Sequence, residues 1–175
     1  MMMSVVDVTT VRTYDVDPQD FRRAFRRHAA GVAVVTFMTA EGPRGFTATS
    51  VTSVSLQPPL VSFAVSATSS TFAAMSDADS CVIHLLGHEQ DVVARRFAQR
   101  GVDRFAPPIA WSTLPSGEPL LAGATAWLRC AVRQRIPVGD HTLVIAEALE
   151  VHEDGAAPGL VYHDGLYHPV GRVDD

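Results

Sequence analysis

Between Gly45 and Ser76 no side chain carries a charge, and hydroxyls crowd two stretches of that span, TATSVTSVS at 47–55 and SATSSTF at 66–72. Small side chains let a ligand approach the backbone. Ser and Thr hydroxyls and backbone N–H groups then donate hydrogen bonds without bringing a counter-charge. Folded against each other, the two stretches would make a pocket for a large planar heteroaromatic molecule with carbonyl and ring-nitrogen acceptors. Ser66, Ser69, Ser70 and Thr71 also stand at the start of a short predicted helix, SSTFAAM, where N–H groups and the helix dipole favour an anion such as phosphate. The same residue types have plainer uses, because Ser and Thr cap helices and Thr is common in strands.

A flavin mononucleotide, with its planar ring and terminal phosphate, has both halves of this description. The rest of the chain offers little competing chemistry. Cys81 and Cys130 lie in the apolar runs CVIHLL and WLRCAV, which reads as buried thiols in a reducing compartment. No CxxC and no paired His/Cys spacing is present to hold zinc, so no metal site is expected. Neither GxGxxG nor GxxxxGK[ST] occurs. Of the seven histidines, His141 in VGDH is the one candidate for ligand contact; it could equally cap its Gly-Asp turn.

The elements that would position these residues are mostly strands. Asp17 and Pro18 form an N-cap and first-turn signal for a helix with Phe21, Phe25 and His28 on one face. Its arginines, Arg22, Arg23, Arg26 and Arg27, read as a solvated face in an acidic chain. Strands follow at 31–38, FTATS, 60–67 and 81–86, with AEGPRG at 40–45 as a hairpin turn. A second helix is predicted at 89–100. The loop of roughly 20 residues after it is long enough to be functional or to cover a partner surface. Residues 127–136 and 142–151 pair around VGDH. Glu147 falls on the Leu143/Ile145/Leu149 face, which predicts either a wet interface or a bulge. Asp164–Gly165 marks the tip of a final hairpin.

Some seven strands and two substantial helices without regular alternation disfavour a parallel doubly wound sheet. A mainly β protein is expected: an antiparallel barrel with Greek-key connections and a few peripheral helices. At 175 residues and 47% hydrophobic content, one domain over 17–175 suffices, preceded by a mobile leader over 1–16 that lacks the features of a signal peptide. No run approaches the length of a membrane span, so a cytoplasmic protein without membrane contact is expected. The net charge of −5 and the 7% aromatic content argue against a nucleic-acid partner. Val144, Ala146 and Ala148 opposite Leu143, Ile145 and Leu149 make a strand apolar on both faces, one of which a two-fold dimer would bury.

The ordered set GFTATSVTSVSLQPPLVSFAV, SSTFAAM, ARRFA, DRFA, LLAGATAWLRCAV and VGDHTLVIAEALEV resembles the flavin reductase-like family over roughly residues 20–172. These are FMN-binding split-barrel proteins that serve as reductase partners of two-component monooxygenases. The resemblance implies a homodimer, FMN or FAD, and NADH or NADPH as electron donor. It places Thr47, Ala48, Thr49 and Ser50 along the isoalloxazine edge with Ser53 close by. It puts Ser66, Ala67, Ser69, Ser70 and Thr71 around the ribityl phosphate, Phe97 near the flavin, His141 near the nicotinamide and Tyr162 on the same cleft. Ala146 stands where members often have Gly, and Ser66 where they often have Asn or another polar residue. The expected activity is NAD(P)H:flavin oxidoreduction that supplies a monooxygenase. The alternatives are a flavoenzyme acting directly on a small organic substrate with its flavin retained, and a non-catalytic flavin-binding protein.

Overall fold

The computed structural model describes residues 16–154 and 157–171; the leader expected over 1–16 therefore lies, save for Val16, outside the described residues. Helix α1 (Pro18–Phe25) starts where expected: the Asp17 carboxylate accepts a hydrogen bond from the Gln19 amide at 2.6 Å. Then come β1 (Ala30–Gly31), β2 (Ala33–Thr39), β3 (Gly42–Ala48), β4 (Thr52–Leu56), β5 (Pro59–Ser66), the short helix α2 (Phe72–Asp77) and β6 (Ser80–Leu85). A 3-10 turn at His88–Gln90 leads into α3 (Asp91–Ala98). The chain ends with β7 (Trp111–Thr113), β8 (Pro119–Leu121), β9 (Ala126–Val138), β10 (His141–Glu153), β11 (Leu160–His163) and β12 (Leu166–Pro169).

Seven strands form one antiparallel sheet in the order β3-β2-β6-β9-β10-β5-β4. Strands β5 and β6 are adjacent in sequence, yet β9 and β10 lie between them, a link of the Greek-key kind. Strands β3 and β4 end the sheet without pairing to each other, although only residues 49–51 separate them in sequence. Inside the curled sheet Val35, Phe37, Phe46, Phe63, Ile83 and Val144 share one core. Strand β2 is apolar on both faces. Its Val34, with Val32 just before it, packs outward against Ala94 and Phe97 of α3 and against Phe105 and Ile109 of the following loop, making a second core.

Several local expectations change. The hairpin turn shrinks to Ala40–Glu41, because β3 runs back through Pro43; proline fits there since β3 is an edge strand. Strand β4 has hydroxyls or exposed apolar side chains along most of its length, so no alternation announced it. The face of α1 carrying Phe21 and Phe25 is exposed rather than packed, and no residue of the helix is buried. The long loop is not bare: β7 and β8 pair across it. At Glu147 the bulge reading holds. The β9–β10 register shifts on both sides of that residue, and its carboxylate accepts a 2.7 Å hydrogen bond from Arg133 Nε.

Two buried polar groups knit the layers together. Glu118 is 2% exposed, and its carboxylate accepts hydrogen bonds from Arg129 Nε at 3.0 Å and from the Ser116 hydroxyl. Burial pushes that carboxyl up, but hydrogen bonds from Ser116, Ser80 and Arg129 outweigh it and bring it down to about 2. His84 is fully buried; its Nδ1–H donates to the Val34 carbonyl at 3.1 Å and its Nε2 accepts the Leu121 amide at 3.0 Å. Burial lowers its pKa to about 4, so it is neutral at physiological pH.

Candidate functional site

The unpaired ends of the sheet open a cleft of about 380 Å³. One wall is the end of β3 and the connection to β4, with Thr47, Ala48, Thr49 and Ser50. Opposite lie the end of β5 and the turn into α2, with Ser66, Ser69 and Ser70; His141, first residue of β10, closes one side. The uncharged run thus converges on one place because β5 folds back beside β4, while β10 sets His141 directly across from Ser66.

The donors in this cleft divide into spent and available. The Thr47 hydroxyl donates to the Ala94 carbonyl at 2.6 Å, so it fastens α3 to β3 and can only accept from a ligand. The Ser50 hydroxyl oxygen accepts the Ala64 amide at 2.9 Å and keeps its own proton to donate. The Thr49 and Ser50 amides have no acceptor among the described residues, because the strand ladder is interrupted at 49–51. Ser66 accepts the Thr68 amide at 3.3 Å, and Ser69 is engaged with Thr71, hydroxyl to hydroxyl at 2.8 Å.

Not every expected residue reaches the cleft. Thr71 is buried and outside the cleft lining, and the six-residue α2 has no side-chain cap there. The Ala67 amide is consumed by the Asp140 carbonyl at 3.0 Å, which ties the β5 end to the β9–β10 turn. Ser53 lies on β4 opposite Val61, exposed and outside the cleft lining. Tyr162 sits against Tyr167 with ring centroids 5.1 Å apart, in a neighbouring groove that shares Thr49 and Ser50 with the cleft. Phe97 borders the cleft but is fully buried, packed edge-on to Phe105 at 5.1 Å. Gly45 makes room for it: a Cβ there would lie 2.8 Å from Phe97 Cε1 and from the Val35 carbonyl oxygen.

The site is not charge-free either. Arg100 and Arg104, from the end of α3 and the long loop, line it. The Arg104 guanidinium donates to the Gly45 carbonyl at 2.8 Å and lies 3.4 Å from the Ser70 hydroxyl oxygen. Burial lowers its pKa, yet an arginine stays charged, and it has no carboxylate partner among the described residues. The end of the cleft nearest α2, where an anion was expected at the helix start, thus carries this side chain and Ser70. The signal for Arg104 in the sequence was the length of its loop and the DRFA motif, neither of which said which way the arginine turns. At the other side, His141 Nδ1 bonds the Asp140 carboxylate at 2.7 Å, leaving Nε2 without a partner among the described residues. That bond, and the His141 and Arg22 charges nearby, hold the Asp140 carboxyl below its usual range.

Comparison with known proteins is consistent with this geometry. The profile of the flavin reductase like domain matches residues 25–171. The chain is 51% identical over 160 residues to an NADH:FMN oxidoreductase of Rhodococcus qingshengii, covering 87% of this chain and 83% of that protein. Among solved structures it superposes, with a TM-score of 0.84 and 35% identity, on the NADH:FAD oxidoreductase of Streptomyces globisporus in complex with NAD and FAD fragments, covering 91% of this chain and 98% of that one. The flavin reductase of the styrene monooxygenase of Pseudomonas putida gives a TM-score of 0.79 and 33% identity, with 87% and 98% covered.

Proposed function

The chain belongs to the flavin reductase-like family, and on that premise we propose that it transfers hydride from NADH or NADPH to FMN or FAD and supplies the reduced flavin to a partner monooxygenase. The observation that carries the assignment is the cleft itself: unspent backbone and hydroxyl donors along one wall, and at one end a guanidinium held by the Gly45 and Gln99 carbonyls without a carboxylate partner among the described residues.

Flavin and nicotinamide carry the redox chemistry in their own rings. The protein has to hold the two rings face to face, orient them and meet the negative charge that grows on the flavin. The Thr49 and Ser50 amides and the Ser50 hydroxyl fit that last task, because they donate without pairing to anything else. Ala48 keeps the wall thin and Thr47 holds it against α3. Arg104 and Ser70, with Ser66 and Ser69 beside them, suit the phosphate. His141 suits the nicotinamide, its ring steadied by Asp140. No general acid, base or nucleophile is required of the chain.

In this reading residues 17–175 are a single flavin-binding domain working in the cytoplasm as a homodimer. Support for the dimer comes from exposed apolar side chains along β10 and β4, among them Leu149, Val151 and Leu56. The test is to follow dihydronicotinamide oxidation by the purified chain with NADH and NADPH against FMN, FAD and riboflavin. Oxidation should require added flavin, and riboflavin, which lacks the phosphate, should serve worst. Arg104→Ala should abolish the preference for FMN over riboflavin. His141→Ala should raise KM for the nicotinamide and leave flavin affinity unchanged. Failure of any flavin to bind in a fluorescence-quenching titration would overturn the assignment.

A further inference from the structure

Ser70 and Arg104 stand in the walls of two cavities at once: the cleft, and a chamber of about 360 Å³ behind it that Pro43, Val102, Asp103 and Phe105 also line. From the chamber a groove of about 670 Å³ continues between the β2–β3 turn and α2, sharing Ser70 and Arg44 with it. Arg104 bridges the boundary between cleft and chamber. Its Nη1 donates to the Gly45 carbonyl of β3 at 2.8 Å, and its Nε and Nη2 donate to the Gln99 carbonyl just past α3 at 3.0 and 2.5 Å. Nη2 also reaches the Ser70 hydroxyl oxygen at 3.4 Å. The next residue pins the bridge in place. Phe105 is buried, edge-on to Phe97 and to Trp111 at 5.1 Å each, and its amide donates to the Asp103 carboxylate at 3.0 Å. Charge changes sign across the boundary. Arg100 and Arg104 line the cleft, and no carboxylate among the described residues does. Beyond it lie Asp103 in the chamber and Glu41 and Asp77 in the groove, where Arg44 is already paired with Glu41 at 2.9 Å.

We propose that Arg104, tied to Ser70 and to the Gly45 and Gln99 carbonyls, is a stop that sets the length of the flavin: the cleft takes one whose ribityl chain ends in a phosphate monoester and turns away the dinucleotide form. The inference rests on the reductase reading and narrows its flavin from two to one. A terminal phosphate needs partners on one side only. The second Nη1 hydrogen is unengaged and the Nη2 contact to Ser70 is long, so a phosphate oxygen can be met there without dismantling the bridge between β3 and α3. In the dinucleotide the same phosphate is esterified at both ends, and a second phosphate and an adenosine must continue past it. Passage into the chamber requires the guanidinium to give up the carbonyls it holds, which leaves buried acceptors without partners. The second phosphate would then enter a stretch whose carboxylates repel it and whose one added cation, Arg44, is spent on Glu41.

The test is the ratio of dissociation constants for FMN and FAD, measured by calorimetry on the purified chain, with riboflavin as the reference for the ring site. The parent should hold FMN at least about tenfold tighter than FAD. Arg104→Ala removes the stop and the phosphate partner together. FMN should weaken about tenfold or more, FAD should not weaken, and riboflavin should bind as before. Arg104→Lys separates the two roles, because an ammonium keeps the charge but lacks the planar fork that spans Gly45, Gln99 and Ser70. It should keep FMN affinity within about threefold of the parent and tighten FAD several-fold. Equal affinity of the parent for FMN and FAD would overturn the proposal, as would a lysine variant in which both weaken by the same factor. Either result leaves the reductase reading standing, because NADH oxidation with added flavin would persist. A parent that binds no flavin at all would refute that reading, and the stop with it.

Discussion

The Glu118–Arg129–His84 region and the Ser50–Ser70–Arg104 cleft contain the same kinds of hydrogen-bonding atoms and put them to opposite use. Around Glu118 and His84 the acceptors and donors are matched inside the fold: a carboxylate on a guanidinium and a hydroxyl, an imidazole between a carbonyl and an amide. In the cleft the amides of Thr49 and Ser50 and the proton of Ser50 are left over, and the Arg104 charge lacks a counter-ion among the described residues. A buried polar group that is satisfied by its own chain holds the fold together; an exposed one that its own chain leaves free can take up a ligand. The difference predicts which substitutions cost stability and which cost binding.

The largest effect belongs to Glu118→Ala. It takes the buried carboxylate away from the half-buried Arg129 guanidinium and from the Ser116 hydroxyl and should destabilise by roughly 3 kcal/mol in urea unfolding, with flavin affinity of the folded fraction intact. Acid comes next. His84 has its pKa lowered in the folded state to about 4 against an ordinary 6.5, so the unfolded chain takes up the proton first. Stability is therefore complete above about pH 6.5 and falls as the pH drops toward 4, by on the order of 3 kcal/mol. Glu118, lowered to about 2 from 4.5, adds a further loss below about pH 4.5 in the same direction. His84→Gln should flatten the upper part of that curve in a series of denaturant melts.

Gly45→Ala falls between the two regions. The new methyl would meet a backbone carbonyl and the Phe97 ring at 2.8 Å, which should cost roughly 1–3 kcal/mol and displace Arg104 from the Gly45 carbonyl, weakening flavin as well. The smallest stability effect is that of Ser70→Ala, within about 0.5 kcal/mol by unfolding, since Ser70 is itself exposed and Arg104 holds other partners. Its FMN affinity should still drop several-fold in a quenching titration. Were Ser70→Ala to destabilise as strongly as Glu118→Ala, the division between matched and waiting groups would fail.

How far the sequence alone reaches follows the same line. The Asp17 cap, the β-branched strands, the Asp164–Gly165 hairpin and the bulge at Glu147 are local patterns, and each is found near its expected place. Convergence of 47–50 with 66–70 could be inferred from a shortage of charge, because thirty-two residues without a charge yet rich in hydroxyls call for a use other than core or solvated surface. Arg104 could not: its role depends on a loop conformation fixed by Phe105 and Ile109 entering the second core. Strand β4 escaped because its side chains lack alternation, and Thr71 because nothing local says that the residue is buried with its hydroxyl tied to Ser69. The four arginines of α1 read as a solvated face, since only the fold sets two of them on a groove that opens into the cleft.

The two ends of the seven-stranded sheet are unequally defended. At β3 the edge carries Pro43, which has no N–H to offer, beside Gly42 at a φ of 115° and the charged Arg44. At β4 the edge presents Val54 and Leu56, the latter 85% exposed. Fibrous growth by strand addition to this sheet needs both of its edges, and of the two only β4 presents its backbone without a proline among the described residues. Edge-to-edge pairing of this sheet through β4 would thus join two copies, with Pro43 withholding a ladder hydrogen bond from a third at the opposite end.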